Sequence, residues 1–287
     1  MSFTRKRIDV TITLGTGQFG DSGANTVTLS GLRVHAGIQV YGGEAMPQAQ
    51  LRLFGLPLDM INQLTTIGPI NSAVMFNNAV LVAAGDDETG LQTIYNGTIW
   101  QAWGEFQGAP EIPLNITGLG GLASALKPVN ALSFPGSADV ATIMQTLAQT
   151  MGVAFENNGV SVQLASPYFP GTALAQVRAC ARAADISWTI DRGTLAIWPK
   201  NGSRSGDVPL ISPDTGMVGY PTFSSNGLGL TTLFNASIKP GGVVQVESSL
   251  QVARGKWTVM QVQHSLQTET PNGQWFTSIL AVPSNDQ

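Results

Sequence analysis

The run Leu14-Gly15-Thr16-Gly17-Gln18-Phe19-Gly20 carries glycines at the G-x-G-x-x-G spacing with which a strand-to-helix turn cradles a pyrophosphate. A strand pattern does precede it. The next residues, Asp21-Ser22-Gly23-Ala24-Asn25, read as a turn into another strand, so no helix N-terminus is expected to supply the amides, and a hairpin loop is predicted instead. Gly20-Asp21-Ser22-Gly23 also has the residue order of a serine-protease nucleophile loop. A serine works there only with a histidine base and an orienting acid that come earlier in such chains, whereas His35 and His264 both come after Ser22. Two histidines 229 positions apart, with no H-E-x-x-H and no thiolate cluster, do not spell out a metal site. Asp86, Asp87 and Glu88 gather oxygen ligands suited to calcium but lack the glycine and spaced acids of a dedicated loop, so a solvated hairpin tip is expected. Trp100 and Trp103 have the aromatic surface to line a sugar site, although tryptophans more often anchor a core or an interface. Among 18 acids no pair is marked out for glycoside hydrolysis. No catalytic, cofactor-binding or metal-ligating residue is therefore assigned.

The elements around these residues read mostly as strands and turns, since 33 Gly and 16 Pro interrupt short apolar runs. Ile8, Val10, Ile12 and Leu14 alternate with polar residues, as do Val27 and Leu29, Leu32 and Val34, Ile38 and Val40, and Leu51 and Leu53. Pro57 followed by Met60, Ile61 and Leu64 on one face predicts a short helix that crosses this first barrel. Further strands are expected over 73–76, 79–83, 92–103 and 112–117. The middle of the chain changes period. Val140, Ile143, Met144, Leu147 and Met151 predict a helix with Ser137 as N-cap and Gly152 as its stop. A hairpin over 153–164 turning at Asn157-Asn158-Gly159, a helix over 172–184 and a hairpin over 186–198 complete a helix–hairpin repeat of about 33 residues. Residues 199–207 read as a Gly/Ser-rich linker. Strands resume over 228–233, 243–247, 257–264 and 275–282.

With 287 residues the chain makes one large or two modest domains at roughly 150 residues per domain. Charged residues are 11% against roughly 25% in an average domain, and 43% are hydrophobic, so charge-driven disorder is excluded. Net charge is -4 and the longest basic run is Arg5-Lys6-Arg7, which argues against a protein that wraps nucleic acid. So little surface charge makes burial in an assembly a serious expectation. The lone Cys180 excludes an intramolecular disulfide and a multi-thiolate zinc site. No apolar stretch succeeds the basic residues of MSFTRKRIDV and no window approaches a membrane span, so synthesis and residence in a cytosol are expected, with sequons such as Asn96-Gly97-Thr98 as chance matches.

Several stretches carry a family likeness: Gly31-Leu32-Arg33-Val34-His35-Ala36-Gly37-Ile38, Gly42-Gly43, Gln48 through Leu56, Met60 with Leu64-Thr65-Thr66, and Tyr95-Asn96-Gly97-Thr98-Ile99-Trp100-Gln101-Ala102. Together these resemble the N-terminal domain of baseplate hub proteins of tailed phages. Leu210 through Pro221, Leu233-Phe234-Asn235, Ile238-Lys239-Pro240-Gly241, Trp257 through His264 and Trp275-Phe276-Thr277 resemble the family's C-terminal domain. The likeness runs in order over nearly the whole chain, and it extends to Mu-like hubs and the spike trunks of type VI secretion. The chain departs from the pattern at Ser265-Leu266-Gln267-Thr268-Glu269, which replaces an aspartate-rich turn, so no metal role is carried over there.

The resemblance implies a mainly β fold with a small α+β part: two β-barrel-like domains, residues 1–120 and 201–287, flanking an α+β middle domain, residues 121–200. It implies a non-enzymatic structural hub without cofactor or metal, a homotrimer whose two similar modules per subunit form a pseudo-sixfold ring joining the tail tube to the central spike. Expected partners are the tail tube protein, other baseplate proteins, the central spike and the tape-measure protein. DNA would pass through without specific binding, and no membrane span is expected. The expected location is the virion's tail baseplate, assembled in the host cytoplasm. A tail-associated cell-wall hydrolase is the alternative, although no motif supplies it with an active site.

Overall fold

A computed structural model describes residues 4–20, 23–66 and 78–284. Alternation does in the structure what it promises in the sequence: in β1 (Lys6–Thr13) Ile8, Val10 and Ile12 are buried while Asp9, Thr11 and Thr13 face outward. The same holds in β2 (Thr26–Leu29), β3 (Val34–Tyr41), β4 (Gln48–Phe54) and most of β5 (Ala79–Asp86), whereas β6 (Gly90–Gly104) buries the adjacent Ile94 and Tyr95 and β7 (Pro113–Leu119) buries four residues in a row, Pro113 to Ile116. The strand expected over 73–76 lies outside the described residues. Helix α1 (Leu58–Leu64) starts after Pro57 as expected and buries Ile61 and Leu64. Its exit is tied to β6, where Thr66 N donates to Ala102 O at 2.8 Å and Ala102 N donates to Thr66 Oγ1 at 3.0 Å.

The middle segment holds α2 (Leu122–Leu126), β8 (Leu132–Ser133), β9 (Ser137–Asp139), α3 (Val140–Met151), β10 (Ala154–Asn157), β11 (Gln163–Ala165), β12 (Tyr168–Phe169), α4 (Ala173–Ala184), β13 (Ile186–Asp191) and β14 (Thr194–Pro199). Three expectations need correction here. First, the cap of α3 is Asp139, whose Oδ2 accepts from Thr142 N at 3.0 Å. Ser137 lies in β9 and bonds Gln163, too far back to reach the first turn's free amides. Second, Asn157-Asn158-Gly159 does not close a hairpin. Asn157 exchanges two bonds with the backbone of Val160, at 2.9 and 3.0 Å, and Asn158 donates to Ile197 O at 3.1 Å. These side-chain amides take the partners a hairpin ladder would have used. The chain is turned away: β10 pairs in parallel with β14, and β11 pairs with β9. The helix–hairpin repeat therefore fails in its first half, while the β13–β14 hairpin forms as expected, with Arg192 and Gly193 at positive φ in its turn. Third, residues 199–207 are not a loose linker, because the Arg204 side chain is 3% exposed and ties the stretch down.

The last third contains β15 (Leu210–Ile211), β16 (Thr222–Ser224), β17 (Gly227–Leu233), β18 (Val243–Val246), β19 (Gly255–Thr268) and β20 (Trp275–Pro283). One sheet joins the two ends of the chain in the order β16-β17-β20-β19-β3-β4-β7-β6-β5-β1-β2, with β18 on β19 and β15 on β18. The join is the antiparallel pair β3–β19, in register from Val34↔Thr268 to Tyr41↔Gln261. The sheet curls until β1 comes back toward β19, with Lys6 5.6 Å above the Trp275 ring and Arg5 2.6 Å from Glu269. Among the described residues no ladder of hydrogen bonds closes that curl. Three apolar clusters fill the interior: one under β1–β7 and α1, one between α3, α4, β13 and β14, and one under β15–β20. Leu266, Trp275 and Ala236 belong to the first cluster, so the last third also seals the core of the first.

Candidate assembly surface

Because side chains alternate across a strand, the residues opposite the core form rows that run straight across the sheet. One row is Trp103, Asn115, Arg52, His35 and Gln267 on β6, β7, β4, β3 and β19. The next is Gln101, Thr117, Gln50, Gly37, Ser265, Phe276 and Leu233. A third is Thr98, Leu119, Gln48, Gln39, Gln263, Ser278 and Thr231. Among these positions Arg52 alone carries a formal charge, and it is paired with Glu105 at 3.0 Å. Burial, with the nearby Arg33 and Arg52 guanidinium groups, holds the His35 pKa below its ordinary value, so that ring is neutral at pH 7. The result is a broad amide- and hydroxyl-rich face to which both ends of the chain contribute.

The residues singled out for chemistry do not converge. His35 and His264 lie on neighbouring strands but on opposite faces of the sheet: His35 bonds Thr270 Oγ1 at 3.2 Å on the outside, and His264 is fully buried. The His264 Nδ1 lies 2.9 Å from Thr277 Oγ1, and burial, then Arg192, pushes its pKa down to about 3, so it is a neutral core residue. The Cys180 thiol is buried and burial pushes its pKa up to about 12, far from the thiolate a nucleophile needs. Asp86 Oδ1 accepts from Glu88 N, Thr89 N and Thr89 Oγ1, which makes the acidic cluster a hairpin tip. The glycine run leads through the Phe19↔Ala24 bridge into β2, with no α-helix in between among the described residues; Asp21 and Ser22 lie outside them. Trp100 and Trp103 are 40% and 39% exposed, on the surface and outside the core. Among the described residues no three His, Cys, Asp or Glu side chains stand close enough to hold a metal.

Other surfaces are suited to contact. Leu58 and Phe106 rim a groove of about 810 Å3 floored by Leu32, Phe54, Leu56 and Ile112. Tyr220, Phe223 and Val252 stand exposed in the last third. Solitary apolar residues are normal on a surface, but grouped ones mark interaction sites. The one site that pattern reading missed is the buried ion cluster between the middle segment and the last third. Arg204 reaches Glu156 at 2.8 Å and Asp191 at 3.5 Å, and Arg192 donates to Ala236 O and Ile238 O. No local signal in a Gly/Ser-rich stretch announces a buried arginine.

Comparison with known proteins bears on what such a surface is for. The sequence model of a family described as baseplate hub gp41 matches residues 7–276. No curated protein matches the chain. Among solved structures, the fold is similar to a tail protein from Neisseria meningitidis MC58, with a TM-score of 0.63 at 10% identity over 96% of both chains. It is similar to the 43 kDa tail protein of prophage MuSo2 from Shewanella oneidensis, with a TM-score of 0.61 at 11% identity over 96% of both chains. An E. coli component of the type VI secretion system, itself described as similar to the T4 tail proteins gp27 and gp5, matches with a TM-score of 0.59 at 11% identity over 89% of this chain and 74% of its own.

Proposed function

The chain belongs to the baseplate hub gp41 family of phage tail structural proteins, which are not enzymes, and from that membership we propose that three copies form a pseudo-sixfold ring joining the tail tube to the central spike. The observation that carries this reading is the β3–β19 pair, through which the two ends of the chain build one sheet. From that pair each side continues outward into its own hairpin partner, β4 on one side and β20 on the other, as two similar modules would. Three copies of a two-module subunit match six subunits of a tube. The path ends at β16 and β2, each of which has one edge unpaired among the described residues, and such edges are surfaces on which a neighbouring chain can pair.

A division into residues 1–120, 121–200 and 201–287, with barrel-like outer parts around an α+β middle, is part of this reading; the second and third apolar clusters follow it, while the first also takes Ala236, Leu266 and Trp275 from the last part. The tail tube protein, other baseplate proteins, the central spike and the tape-measure protein are the proposed neighbours. The acids outnumber the bases by 18 to 14, which disfavours adhesion of passing DNA. As a baseplate component the protein is virion-associated, and assembly in the host cytoplasm is part of the proposal. Among the described residues no helix is long and apolar enough to cross a membrane.

Averaged images of particles containing this chain test the ring directly, with threefold order expected at the tail tip. Light scattering on the purified chain, alongside a zymogram on peptidoglycan, separates the readings: a trimer without clearing supports the hub, and an active monomer overturns it.

A further inference from the structure

The outer face has a hollow. At the centre of the second row stands Gly37, whose missing side chain leaves open space: a Cβ built there meets nothing nearer than Gln50 O at 3.9 Å. Around it lies a groove of about 430 Å3, within the roughly 300–1,000 Å3 of small-molecule sites. Trp103, Asn115, Arg52 and Gln50 line one side, and Ser265 and Gln267 the other. Asn115 is 9% exposed and its Nδ2 is buried with no hydrogen-bond partner in the protein. A buried donor left unmade costs about 1–3 kcal/mol, so a turn of the Asn115 amide toward the groove would be rewarded by an acceptor bound there.

We propose that this groove binds a short neutral saccharide. The groove's chemistry selects that class. Amides and hydroxyls both donate and accept, matching sugar hydroxyls, which do the same. The partly exposed Trp103 indole offers an electron-rich face to the weakly positive C–H face of a sugar ring. Arg52 is neutralised by Glu105 and no other formal charge lines the groove among the described residues, so a phosphate or a nucleic-acid backbone finds no excess of positive charge.

Saturation-transfer NMR on the full chain with chitobiose, maltose and lactose, each at about 10 mM to capture weak binding, tests the assignment. Transfer to at least one of the three is expected. Gly37→Ile, which fills the hollow in a strand that accepts β-branched residues, and Asn115→Leu, which removes the lone donor, should each weaken it at least about tenfold with the melting curve unchanged. If Gly37→Ile melts early, Asn115→Leu alone decides. Absence of transfer from all three sugars overturns the proposal. So does transfer that both variants leave intact, or a response to inorganic phosphate or an oligothymidylate without one to sugar.

Discussion

Glu156→Gln keeps the side chain's size and removes its charge where the middle segment meets the last third. In the native protein Glu156 accepts from Arg204 Nη2 at 2.8 Å, Arg204 Nε at 3.1 Å and Asn158 Nδ2 at 3.0 Å, and Lys239 Nζ lies 3.7 Å away. Burial works to raise its pKa, but the bonds and charge of Arg204, then Asn158 and Lys239, outweigh burial and bring it from 4.5 down to about 2. At about 1.36 kcal/mol per pKa unit that shift sets a ceiling of about 3 kcal/mol. Since 29% of the side chain meets water, solvent screening cuts the contribution to about 1–2 kcal/mol. A folded pKa below the unfolded one means that the contribution is whole above about pH 4.5 and is lost as pH falls toward 2. Urea unfolding across a pH series, monitored by tryptophan fluorescence, to which Trp188 and Trp198 in the neighbouring strands contribute, reads this directly. The Gln variant should be less stable by about 1–2 kcal/mol at pH 7, with the gap closing between pH 4.5 and 2. Equal stabilities at pH 7, or a gap that stays constant down to pH 2, would refute the reasoning.

Gly241 has φ +81°, and a Cβ there would stand 2.6 Å from Trp198 Cζ2, so Gly241→Ala should cost about 2–4 kcal/mol in a denaturant titration; a loss under about 1 kcal/mol would show that the indole moves freely. Asp139→Ala should lower stability by about 1 kcal/mol while Ser137→Ala changes it by less than about 0.5 kcal/mol, and the reverse order would return the cap of α3 to Ser137.

Much of this protein is legible one segment at a time. The alternation of Ile8, Val10 and Ile12, or of Val34, Ala36, Ile38 and Val40, predicts strands with the correct buried face. The spacing of Val140, Ile143, Met144 and Leu147 predicts a helix, and Gly152 its left-handed end at φ +71°. The low charge and scattered histidines already argue against a hydrolytic site, and the motif order along the chain already resembles a hub. Periodicity is a property of a few consecutive residues, and these features need nothing more.

What belongs to the tertiary structure is every choice that depends on a distant partner. Val34 and Thr268, 234 positions apart, become neighbours because closing the first core requires Leu266 and Trp275, a demand that no local window contains. Asn157 and Asn158 have turn chemistry in any sequence, but only the strand at Ile197 decides that they divert the chain into a parallel pair. Arg204 in a polar stretch is buried because Glu156 and Asp191 wait for it from two other elements. Gly37 is one glycine among many until five strands align around it and leave its missing side chain as a hollow: chain order sets which residues can turn or alternate, and the meeting of faces sets which of them share a site.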